Sequence, residues 1–84
     1  MSNVTIYTKP YCPYCIRAVG LLEKKGIAFN EIEAAFDPDK RHEMIQRSGR
    51  ATFPQIFIGD RHIGGCDDMM ALERSGDLDG LLAA

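Results

Sequence analysis

Only three cysteines occur in the 84 residues: Cys12 and Cys15, separated by two residues, and a lone Cys66. An odd count this low excludes a disulfide-stapled scaffold. It also weakens a zinc site, which takes four ligands and typically two cysteine pairs; here Cys12, Cys15, Cys66 and His62 would have to serve. Charge of one sign is missing too. Ten Lys plus Arg face twelve Asp plus Glu, a formal −2, with no run of five basic residues. Nucleic acid and anionic membrane surfaces are therefore excluded as principal partners. No apolar run approaches the roughly 18 residues of a membrane span. Met1-Ser2-Asn3-Val4-Thr5 has neither the charged nor the long apolar region of a signal peptide, so a reducing cytoplasm is the expected compartment. There is no internal repeat and no low-complexity segment. With 45% apolar and 26% charged residues, the chain reads as one small soluble domain over residues 1–84.

Val4-Thr5-Ile6-Tyr7-Thr8 alternates and is rich in β-formers, which predicts a strand. From Pro13 the period becomes helical: Cys15, Ala18, Val19 and Leu22 recur at three- and four-residue steps, and Gly26 suits the position just past the end. Ile27 to Ile32 reads as a second strand, completing a strand–helix–strand unit. Asp37-Pro38 reads as an N-cap and first helical residue, with that helix running to about Ser48 and stopping at Gly49. Its buried stripe should be narrow, mainly Met44 and Ile45. Gln55 to Ile58, the turn Gly59-Asp60 and Arg61 to Ile63 form a hairpin. After Gly64-Gly65 a helix is expected from about Asp67 to Ser75, closed by Gly76, with a last turn at Leu78 to Leu82. The order βαβ-α-ββ-α predicts an α/β fold: a four-stranded mixed sheet with helices on both faces.

The chemistry concentrates at the first strand-to-helix turn. Cys12 falls at or beside the helix N-cap, where unsatisfied amides and the positive end of the helix dipole converge on its sulfur. Lys9 adds a cation three residues upstream. All three favour thiolate over thiol, so Cys12 should titrate below the free value of about 8.5. Cys15, one turn in and on the core side, should be less exposed and stay protonated longer. Cys12 is then the nucleophile toward a disulfide, and Cys15 the thiol that can close an internal bond.

Tyr7-Thr8-Lys9 before Cys12-Pro13-Tyr14-Cys15, then Thr52-Phe53-Pro54-Gln55, then Gly64-Gly65-Cys66-Asp67-Asp68, resemble the three signatures of a dithiol glutaredoxin in order and spacing. The absence of tryptophan separates the chain from thioredoxin, which carries one before its cysteine pair. The resemblance implies a thioredoxin-like fold, glutathione as reductant and cosubstrate, and no tightly bound cofactor. It implies a cis Phe53-Pro54 bond facing the cysteines, leaving the Phe53 backbone free to pair with glutathione; an ordinary strand-end proline is the alternative. Lys9 and Arg41 match the positions for the glycyl carboxylate, although Arg41 could equally sit on a solvated helix face. Amides at Cys66-Asp67 could take the γ-glutamyl carboxylate, with the Asp67 side chain accepting from the ammonium or serving only as an N-cap. Asp68 reads as a favourable first-turn charge. Tyr14 offers an aromatic edge beside the sulfur and Thr52 a hydroxyl near the ligand. Phe53 departs from the family's small β-branched residue, a change expected to alter which protein disulfides approach. Cys66 reads as a buried free thiol, with reversible glutathionylation the alternative. His42 and His62 take solvated or capping roles.

The expected activity is reduction of protein–glutathione mixed disulfides and protein disulfides by a monomer. The competing function is a dimer that carries a [2Fe–2S] cluster on Cys12 of each chain and two glutathiones. Pro13 and Cys15 argue against it, because in the family that role goes with glycine or serine at the first position and no resolving cysteine.

Overall fold

The first strand, β1 (Val4–Thr8), is buried along its whole length, polar Thr5 and Thr8 included. It can be so because it lies inside the sheet. In the computed structural model, which describes residues 3–83, β1 pairs in parallel with β2 (Phe29–Glu33) and antiparallel with β3 (Gln55–Ile58). Strand β4 (Arg61–Gly64) adds antiparallel to β3, giving the order β2-β1-β3-β4. Met1, Ser2 and Ala84, which belong to the expected 1–84 domain and the leader reading, lie outside the described residues.

Alternation along the strands sorts the side chains into two layers. Val4, Ile6, Ile56 and Ile58 pack with Ala18 and Leu22 of α1 (Pro13–Lys24), Met69 of α3 (Cys66–Ser75), and Leu78 and Leu82 of α4 (Leu78–Ala83). Tyr7 and Phe57 point the other way and meet Met44 of α2 (Pro38–Ser48). Helices therefore cover both faces, as the element order predicts. Met44 is the one α2 residue fully buried, with Ile45 half-buried, which is the narrow stripe read from sequence. Each such fully buried aliphatic side chain contributes about 1.5–3 kcal/mol. Asp37 caps α2 by accepting from the amides of Asp39 (3.0 Å) and Lys40 (3.2 Å). Among the described residues no helix is long and apolar enough to cross a membrane.

Three boundaries depart from the sequence reading. β2 starts at Phe29 rather than Ile27, because the helix end uses the intervening amides. The Gly26 N–H donates to Glu23 O (3.0 Å) and the Ile27 N–H to Leu22 O (3.1 Å), a Schellman closure of α1. β4 extends to Gly64 through a register shift beside Ile56. α3 begins at Cys66, so Asp67 is not its N-cap. Gly65 holds that position, and the Asp68 carboxylate reaches back to accept the Gly65 N–H at 2.9 Å. That contact is half of a capping box and needs no side chain at the cap itself.

Candidate active site and its groove

Between β1 and α1 the chain turns at Tyr11, whose φ of 58° lies in the left-handed region. That conformation costs a bulky residue about 1–2 kcal/mol, and a side chain 98% exposed has little packing to offset it. The turn delivers Cys12 in extended backbone (φ −98°, ψ 110°) as the N-cap of α1, with Pro13 next. The Cys12 carbonyl accepts the first helical bond, from the Ile16 N–H at 3.0 Å. Its sulfur accepts from the Cys15 N–H at 3.4 Å. All three cysteines are free thiols.

These contacts drive the two thiols apart. Burial alone would push the Cys12 thiol up. Hydrogen bonding from the Cys15 thiol, from the Cys15 amide and from the Tyr14 amide, together with Lys9, outweighs it and leaves Cys12 below the ordinary thiol value. For Cys15, burial and then its hydrogen bond with Cys12 act in the same direction, and the thiol is pushed up to about 12. The expected difference in exposure is absent, since both cysteines are only 3% exposed. The capping contact explains this: it folds the Cys12 sulfur back over the first turn instead of outward. Environment, not accessibility, separates the pair. Cys66, at the start of α3, is buried, and burial pushes its thiol up as well.

Tyr14, Thr52, Phe53, Pro54, Cys66 and Asp67 line one cavity of about 210 Å³. A neighbouring cavity of about 520 Å³ shares Thr52 and Phe53 and brings in Lys9 and Arg41. All eight residues expected to bind glutathione thus line one or the other of two cavities that meet at Thr52 and Phe53 and together form the candidate groove. The Phe53–Pro54 peptide bond is cis. Among the described residues neither the Phe53 N–H nor its carbonyl has a hydrogen-bond partner. Relieved of capping, Asp67 presents an exposed carboxylate to the groove. Lys9 Nζ stands 6.0 Å over the Phe53 ring.

Sequence reasoning missed several residues of the site. Arg50 lines the first cavity and pairs with Asp68 at 3.1 Å. It follows the loop glycine Gly49, and nothing in its local pattern points to the groove. Asp68 itself could have been found from its spacing, three residues after Gly65. Gln55 and His62 were also missed. Fully buried Gln55 donates to Thr52 O (3.0 Å) and Thr52 Oγ1 (3.1 Å), and its Oε1 lies 2.7 Å from His62 Nε2. The solvated or capping role expected for His62 is therefore corrected, because the fold places its ring against Gln55 and Phe57. Among the described residues no three His, Cys, Asp or Glu groups gather so as to hold a metal ion.

Two thiols one helical turn apart, with opposed proton affinities, are suited to exchange with a disulfide. On this sheet and helix arrangement they define a thiol–disulfide oxidoreductase of thioredoxin-like fold. Comparison with known proteins narrows the class. The Glutaredoxin family matches residues 4–63. Glutaredoxin 3 of Escherichia coli (strain K12) is 58% identical over 82 residues, 98% of this chain and 99% of that protein. The solution structure of a glutaredoxin from Brucella melitensis is 62% identical, with a TM-score of 0.85, over 98% of this chain and 89% of that one. A buckwheat glutaredoxin–glutathione complex is 34% identical, with a TM-score of 0.87, over 98% of this chain and 77% of that one. The chain belongs to the glutaredoxin family and is a glutaredoxin oxidoreductase.

Proposed function

We propose that this glutaredoxin reduces protein–glutathione mixed disulfides and protein disulfides, with Cys12 as nucleophile, Cys15 as resolving thiol and glutathione as reductant. The Cys12 thiolate attacks the glutathione sulfur of a mixed disulfide. The protein thiol leaves, taking up a proton, and glutathione remains joined to Cys12 by a disulfide. A second glutathione thiolate attacks that bond, releasing glutathione disulfide and returning the Cys12 thiolate. With a protein disulfide, Cys12 instead forms a mixed disulfide with the client. Cys15 loses its proton as it attacks the Cys12 sulfur, freeing the second client thiol and closing a Cys12–Cys15 bond that two glutathiones reopen.

The observation that carries this reading is the Cys15 N–H on the Cys12 sulfur, with Cys12 lowered and Cys15 raised. Cys15 stays protonated until the attack requires it, so it does not compete with Cys12 for the first disulfide. The groove supplies complementary partners for a small dianionic peptide. Lys9 and Arg41 at one end suit the glycyl carboxylate. At the other, the N-terminus of α3 suits the γ-glutamyl carboxylate and Asp67 its ammonium. Between them the unpaired Phe53 amide and carbonyl can pair with the ligand backbone, flanked by Tyr14, Thr52, Pro54 and Cys66. The related buckwheat protein, solved with glutathione, supports this occupant. The working form is a monomer in a reducing compartment, the cytoplasm, where three free thiols persist.

Two variants test the roles. Cys12→Ser should abolish both activities. Cys15→Ser should keep deglutathionylation near the wild-type rate and lose reduction of protein disulfides. Normal turnover by Cys12→Ser would overturn the assignment.

A further inference from the structure

Gln55 has no exposed surface, yet every polar atom of its side chain is engaged. The directions of these bonds follow from what each atom can do. The Thr52 carbonyl has no proton to give, so the group facing it at 3.0 Å must be the Gln55 NH₂. That fixes the amide. The same NH₂ lies 3.1 Å from Thr52 Oγ1 and, having only protons to give, makes that oxygen an acceptor. Oε1 is thereby turned toward His62, whose Nε2 at 2.7 Å must carry a proton, whether the ring is neutral or charged. The hydroxyl proton of Thr52 then has no acceptor among the described residues, and the exposed Thr52 side chain borders both cavities of the groove.

We infer that His62 and Gln55 are positioning residues: the chain His62 Nε2–H to Gln55 to Thr52 presets the Thr52 hydroxyl as a donor into the groove. It therefore favours a ligand with an acceptor oxygen, a carbonyl or a carboxylate, at that point. The inference rests on the groove being the glutathione site. Packing makes the relay rigid. The His62 ring lies 4.9 Å from Phe57, which meets Tyr7 edge-on at 5.8 Å and carries the Arg47 guanidinium 4.1 Å over its face. A donor held in place before the ligand arrives reduces the ordering that binding would otherwise require.

The test uses the whole chain and a cysteine peptide glutathionylated at its thiol. His62→Phe keeps a ring against Phe57 and removes the donor; His62→Gln restores an N–H at similar reach. His62→Phe should raise KM about three- to tenfold, the loss of one neutral hydrogen bond. The kcat and the pH dependence of Cys12 alkylation should stay unchanged, as for binding shared by ground and transition states. His62→Gln should recover most of the loss. In a Thr52→Val background, where no hydroxyl remains to aim, His62→Phe should add nothing further. ¹⁵N NMR of the wild type should find the neutral His62 protonated at Nε2. An unchanged KM in His62→Phe, no recovery in His62→Gln, a further loss in the Thr52→Val background or a proton on Nδ1 alone would each overturn the relay. If Thr52→Val alone leaves KM unchanged while the Nε2 proton is observed, the groove assignment fails and takes the inference with it.

Discussion

A Cβ built on Gly64 would stand 2.2 Å from Asp68 Oδ2, the oxygen that accepts the Gly65 N–H at 2.9 Å and an Arg50 N–H at 3.1 Å. Gly64 also has a φ of 119°, which side chains rarely adopt. The α3 end of the groove is thus assembled around a residue that must lack a side chain. Gly64→Ala should force Asp68 off the cap and destabilise the fold by about 2–4 kcal/mol. Urea unfolding measures this, and a loss below about 0.5 kcal/mol, the range of an ordinary surface change, would contradict it.

Asp68→Asn isolates the charge from the backbone effect. The Gly65 amide first, then Arg50, hold the Asp68 carboxyl below its usual value. A depressed acid contributes stability above its unfolded pKa and loses it as pH falls through the folded one. The carboxylate is about half exposed, so solvent screening limits its worth. The variant should be less stable by about 1 kcal/mol at neutral pH. That gap should close as pH is lowered through the carboxylate range. A gap independent of pH would contradict the role of the charge.

The α/β order, the β-hairpin and the N-caps of α1 and α2 were legible because each rests on a local signal. Alternation marks β1, proline after a capping residue marks α1 and α2, and Gly59-Asp60 marks the turn. The eight residues expected at the groove came from family resemblance rather than from spacing, and the fold brings them to two cavities that meet at Thr52 and Phe53. What the sequence hid was tertiary. Ile27 reads as a strand residue, but its amide closes α1. Asp67 reads as a cap, yet the cap is an amide served by Asp68. His62 and Gln55 meet only because β4 pairs with β3, and Arg50 joins the groove only because the α2–β3 loop approaches α3.

Phe53→Val tests what the Phe53 ring does in the groove, where it lines both cavities. The Phe53 contact with glutathione is assigned to its backbone, so turnover of a small glutathionylated peptide should stay within about twofold of wild type, the ±0.5 kcal/mol expected of a change away from the contact. The ring under Lys9 would be gone, so the ratio of rates between a protein disulfide and that peptide should shift. Equal effects on both substrates would contradict a role of the ring in client choice.

Cys15 predicts a stability change at alkaline pH. Its thiol is raised from the ordinary cysteine value of about 8.5 to about 12. A raised acid contributes stability fully below its unfolded pKa and loses it as pH climbs toward the folded one. Wild-type stability should therefore fall relative to Cys15→Ser as pH rises from 9 toward 12. Cys12 carries the opposite sign, its contribution present above the ordinary thiol value and lost as pH falls. Unfolding curves of wild type and Cys15→Ser that stay parallel across the alkaline range would contradict the account.

The most direct measurement is the rate of Cys12 alkylation against pH, with each modified site mapped by mass spectrometry. Helix amides, the neighbouring thiol and Lys9 together should place the inflection below the roughly 8.5 of a free cysteine. The label should appear at Cys12, while Cys15 and Cys66 remain unmodified. An inflection at or above the free value, or label shared equally between Cys12 and Cys15, would contradict the central claim.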